Sequence, residues 1–141
     1  MSTTPIPTPA DVFHRQAHPL IAPGPHDPAV DEPFRALWER GINGSHLLQH
    51  TKLVALVLAT HADWTSGHIS EGAQPRLRRL IDLTALHPGQ VVMSLQILEQ
   101  RGWILRDDRR RRWNVASVRL TIPRPIMRRL KKTASGGSTD S

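Results

Sequence analysis

The sequence predicts a mainly α-helical protein with one small β-hairpin, flanked by a disordered N-terminal arm (1–30) and a basic, flexible C-terminal tail (123–141), which leaves a domain over 31–122. Three observations predict it. Two short apolar-periodic segments, 75–82 and 87–101, are separated by a tight turn. Alternating positions then surround a run of charges between Trp103 and Ile122, the pattern of a hairpin with a charged tip. Finally, 8 of the 12 prolines lie at or before Pro33, so 141 residues leave material for about one small core.

Along the chain, Pro5, Pro7, Pro9, Pro19, Pro23, Pro25 and Pro28 remove backbone donors and block helix, which predicts a disordered arm. Asp31, Glu32 and Pro33 suit a helix start, and Phe34, Leu37 and Trp38 form a stripe that ends near Gly41. Ser45 reads as the N-cap of a helix running to about Ala62. Its centre, LVALVLA, is apolar on all sides and so needs cover on more than one side. The Phe34–Trp38 stripe, the segment after residue 74, or a second copy in a homodimer could supply it.

His68–Ile69 is a short extended piece able to pair with the hairpin. Gln74 and Pro75 open the next helix, with Leu77, Leu80, Ile81 and Leu83 inward and Arg76, Arg78 and Arg79 projecting. Thr84 to Leu86 make the turn, where small Ala85 permits close helix approach. Pro88 fits a first helical position, Val91, Leu95 and Leu98 face the core, and Gly102 stops the helix with positive φ. Trp103 and Leu105 enter the first strand, and Trp113 and Val115 the return strand. The frame then changes to Val118, Leu120 and Ile122, which implies a bulge or a third strand.

Charge is unevenly placed. Residues 1–100 carry 7 Lys and Arg against 9 Asp and Glu, whereas 101–141 carry 12 against 3, so the whole excess of +7 lies in the second part. That asymmetry points to a polyanion, nucleic acid before a membrane surface, because no aromatic-anchored amphipathic helix accompanies it. No cysteine is present, which excludes disulfide frameworks and thiol chemistry. The longest apolar run, Leu53 to Ala59, is far short of a membrane span. No leader pattern opens the chain, so a cytoplasmic, nucleoid-associated protein is expected.

Leu80, Leu83, Thr84, Leu86, Val91, Leu95, Leu98, Glu99, Gly102 and Trp103 carry a resemblance. From Gln74 to Val115 the chain resembles bacterial winged helix-turn-helix domains of the broad MarR-like and GntR-like kind, as in actinomycete regulators of plasmids and mobile elements. The resemblance implies that helix 87–101 enters the major groove of double-stranded DNA, with His87, Gly89, Gln90, Val92, Met93 and Gln96 facing bases. Arg76, Arg79 and the wing residues Arg109, Arg110, Arg111 and Arg112 would lie on phosphates. The implied role is bacterial transcription regulation.

The chain departs from that pattern in one respect. No Lys or Arg occurs between Leu80 and Gln100, so bidentate arginine–guanine readout is absent from this helix. Gln90 or Gln96 could read adenine, and Val92 or Met93 could touch thymine methyls. Two alternatives stay open. Affinity could come from the wing and the basic tail (Arg124, Arg128, Arg129, Lys131, Lys132) alone, giving a non-specific or architectural binder. Otherwise Val92, Met93 and Ile97, or the arm 1–30, could hold a protein partner.

Other chemistry finds little support. His46 and His50 stand at i, i+4 but lack a third ligand at useful spacing, so no metal or other cofactor is expected. No nucleophile elbow, phosphate loop or dinucleotide motif occurs, and an enzyme is not expected. The four tryptophans read as core anchors, with Trp113 placed to stack on an arginine and Asp107 and Asp108 to pair with the tip.

Overall fold

A computed structural model describes residues 21–136, with side chains described through residue 133. Residues 1–20 and 137–141, and the expectations that fall on them, lie outside the described residues. The order is α1 (Phe34–Asn43), α2 (Gln49–Ala59), a 3-10 turn (Glu71–Ala73), α3 (Leu77–Thr84), α4 (Pro88–Gln100), β1 (Ile104–Arg106), β2 (Val118–Leu120) and α5 (Arg124–Gly136). The protein is therefore mainly helical with a small two-stranded antiparallel sheet.

Trp38 ties α1 to the sheet. It is fully buried, and its indole N–H is shared between the carbonyls of Trp103 (3.1 Å) and Thr121 (3.0 Å). Its ring meets Trp103 edge to face at 6.1 Å. An indole buried without such a partner would be strongly destabilising, so this geometry lets a large apolar group fill the core. Behind it α2 packs on α4, α3 and α1, with Val54, Ala55, Leu58 and Ala59 inward. Between α2 and α4 the Thr51 and Ser94 hydroxyls meet at 3.2 Å, both groups fully buried, so each satisfies the other inside an apolar contact.

Several expected boundaries move. α2 starts at Gln49 rather than at Ser45. The Ser45 hydroxyl instead donates to the Ile42 carbonyl at 2.6 Å and finishes the turn after α1. Leu83 is 48% exposed, so the inner face of α3 is Leu80 flanked by the half-buried Leu77 and Ile81. Ala85 is itself exposed. It closes α3 in a left-handed conformation (φ 57°), donating to the Ile81 carbonyl, and does not serve close helix approach.

The return strand also shifts. Trp113 to Val115 form a turn, and Val118–Leu120 pairs with β1 in the register Ile104↔Leu120, Leu105↔Arg119 and Arg106↔Val118. The change of frame is thus a long loop, 107–117, and not a bulge. His68–Ile69 adds no backbone strand; a side chain takes that edge instead. Gln74 accepts from the Val118 N–H (2.9 Å) and donates to the Val118 carbonyl (2.9 Å) and the Ile69 carbonyl (3.1 Å). A carboxamide presents the same donor and acceptor as a peptide group, so Gln74 acts as one residue of a third strand.

The ends of the domain are built, contrary to expectation for 21–30 and for the tail. The Gly24 N–H donates to the Ile122 carbonyl (2.7 Å) and the Arg124 N–H to the Ala22 carbonyl (2.8 Å), with a bridge between Pro23 and Pro123. Arg124–Gly136 of the tail is helical, and Met127 inserts its side chain, 1% exposed, with Ile126 and Leu130 beside it. Gly24 permits this, since a Cβ there would fall 2.6 Å from the Met127 Cβ. Lys131 then clamps the segment, donating to the Pro25 carbonyl (2.7 Å) and the Asp31 carboxylate (3.0 Å). The Asp27 N–H and Lys131 together hold the Asp31 carboxyl below its ordinary range. Among the described residues no helix is long and apolar enough to cross a membrane.

Replacing Gln74 by leucine keeps its bulk and removes three hydrogen bonds at a partly buried sheet edge. Urea denaturation should show a loss of about 2–4 kcal/mol, and Gln74→Glu, which cannot donate, should behave alike. An unchanged midpoint would mean that water takes over the edge.

Candidate nucleic-acid interface

α4 begins with a cap assembled from two of the expected base-facing residues. His87 Nδ1 accepts from the Gly89 N–H (3.2 Å), and Gln90 Oε1 accepts from the His87 N–H (3.0 Å). This reciprocal arrangement quiets N–H groups that a helix start leaves without partners. It also leaves the Gln90 amino group as the outer end of that side chain. Pro88 occupies the first helical position, as its missing N–H favours.

The helix then turns Val91, Ser94, Leu95 and Leu98 inward. Gly89, Gln90, Met93, Gln96 and Gln100 are exposed, Met93 by 53%. Val92, expected among the outward residues, is half-buried and packs against the core, as does Ile97. Gln100 carries no sequence signal that marks it, yet it lies on the exposed face. A Cβ on Gly89 would meet nothing nearer than His87 Nδ1 at 3.4 Å. The fold itself therefore does not require glycine there, and the backbone is open to close approach from outside.

Arg106, the last residue of β1, joins α4 to the loop 107–117. Its guanidinium makes a two-pronged pair with Glu99 on the last turns of α4 (2.8 and 2.9 Å), both side chains being about 16–17% exposed. A third N–H donates to the Arg111 carbonyl (2.9 Å), and the same group lies 4.2 Å from the centre of the Trp113 ring. The cation–π contact expected at Trp113 thus forms with Arg106. Planar, forked and permanently charged, arginine can make all three contacts at once.

Arg109, Arg110, Arg111 and Arg112 all lie exposed on this loop. The Asp108 carboxylate accepts from the Arg110 N–H (2.9 Å) and faces its guanidinium (3.4 Å), and these bonds hold that carboxyl below its ordinary range. Of the two acid–arginine pairings expected at the tip, that of Asp108 is therefore in place. Backbone bonds from Arg111 to Asp108 and from Val115 and Ala116 to Arg112 shape the rest, while the Asp107 N–H reaches the Ser117 carbonyl at the neck.

The α3 arginines are more committed than the sequence suggested. Arg76 pairs with Glu71 at 2.9 Å. Arg79 Nε donates to His61 Nε2 (3.4 Å), which leaves His61 Nδ1 to donate to the Val57 carbonyl (2.9 Å). Arg78, 89% exposed, sits 3.8 Å from Asp82. On α5, Arg124, Arg128, Arg129 and Lys132 are exposed, and Lys131 is engaged with Asp31. Among the described residues no cluster of three or more potential metal ligands occurs.

Arg106→Lys keeps the charge and loses the fork. Stability should fall by about 1–2 kcal/mol, and amide exchange should accelerate across residues 107–116 while the interior of α4 stays protected. Unchanged exchange in the loop would show that other interactions hold it.

Compared with models of protein families, with curated proteins and with solved structures, the chain matches none. Its geometry and charge carry the functional reading.

Proposed function

We propose that this chain is a winged helix-turn-helix protein that binds double-stranded DNA and regulates transcription in a bacterial cytoplasm. α4 is the groove helix and the loop 107–117 is the wing. One observation carries the reading: an uncharged exposed helix face is tied through Arg106 to a loop bearing four exposed arginines. The first can approach base edges without the cost of stripping water from a charge. The second matches a phosphate backbone, to which salt-dependent affinity belongs. Arg78 and the exposed cations of α5 add to the positive surface. The exposed Met93 supports a second reading, a protein-binding face on the same helix.

Selection from random-sequence duplex DNA, followed by affinities at several salt concentrations, tests the proposal. A regulator should enrich a motif held about 10³-fold above random DNA. Replacing Arg109–Arg112 with alanine should flatten the log–log salt dependence by about one unit for each phosphate the loop no longer reaches. Equal binding to every fragment would instead indicate an architectural protein. No binding to any duplex would refute the proposal and leave the protein-binding face.

A further inference from the structure

We infer that this protein selects A·T-rich major-groove sites, with Met93 reading the 5-methyl group of thymine and Gln96 the edge of a neighbouring adenine. The inference rests on the DNA-binding proposal above and specifies what its groove helix reads. Gly89, Met93, Gln96 and Gln100 recur at i, i+4, i+7 and i+11, which places them on one stripe of α4, and all are exposed. No side chain on that stripe is charged.

The structure narrows the candidates that the sequence left level. The Gln90 oxygen already accepts from the His87 N–H, which orients the carboxamide within the helix cap and leaves only its second lone pair for adenine's amino group. Val92 packs on the core. Glu99, the only carboxylate of α4, is held by both prongs of Arg106 and is not free to accept from a cytosine amino group. Gln96 and Met93 remain, three residues apart and side by side.

Their chemistry then favours particular bases. A carboxamide offers one acceptor and one amino group, which complements the N7 acceptor and N6 donor of adenine. Guanine presents two acceptors, N7 and O6, and pairs in two-pronged fashion with arginine or lysine. Neither residue occurs between Leu80 and Gln100. Met93 has no hydrogen to donate and a soft, adaptable apolar end. The thymine methyl is the one apolar group in the major groove, whereas against cytosine the thioether would cover an amino group without satisfying it.

The test uses the full chain and alters the DNA, so folding is not at risk. The motif enriched from random duplexes is resynthesised with uracil for thymine, or 7-deazaadenine for adenine, one position at a time. Uracil should lower affinity about fourfold at one or two positions, the effect of a single buried methyl, and Met93→Ala should erase the difference between thymine and uracil there. 7-Deazaadenine should weaken an adjacent position about tenfold, with Gln96→Ala removing that sensitivity. A motif bound equally well with uracil throughout, or one whose guanines dominate, overturns this inference and leaves DNA reading intact. The absence of any enriched motif overturns both.

Discussion

The Arg106 guanidinium is the constraint on which the candidate interface depends. It sits where α4 has just ended and β1 gives way to the loop, and it grips Glu99, the Arg111 carbonyl and the Trp113 ring together. A pair of this kind, largely shielded from water and two-pronged, contributes more than an exposed ion pair and is costly to break from one side. Its consequence is geometric. The helix face and the arginine loop are linked through one side chain, which couples the orientation of the one to the path of the other.

That unit rests on a core in which polar groups are placed where backbone would otherwise go unpaired. Trp38 serves two carbonyls at the turn into the sheet, and Gln74 serves the open edge of β2. Both let a sheet of only two short strands stand without a third. The segment 22–25 and α5 then close the opposite side through Met127 and Lys131.

Much of α4 was legible in the sequence, because Pro88, the Val91–Leu95–Leu98 spacing and Gly102 each constrain the backbone locally. The hairpin was legible in outline only. Trp113 and Val115 imitate strand alternation, but Trp113 is buried by stacking on Arg106, a contact that no periodicity encodes. α5 was hidden because its few apolar residues lie among cations and are completed by an arm distant in sequence. A cap built from histidine and glutamine lacks the usual serine or threonine signature, so Gln90 and Gln96 looked equivalent until the bond from the His87 N–H to Gln90 was known. Which of Val92 and Met93 faces out was likewise decided by packing.

The proposed function divides affinity from selectivity. Positive charge lies on the loop 107–117, on α3 and on α5, while the exposed stripe of α4 is neutral. The most direct test of that division follows the backbone amide resonances of the full chain as a mixed-sequence duplex is added at low salt. Shifts should concentrate at Gly89, Gln90, Met93 and Gln96 and at Arg109–Arg112, moving together as one surface. Shifts confined to α5 and residues 21–31, or no shifts at all, would contradict it.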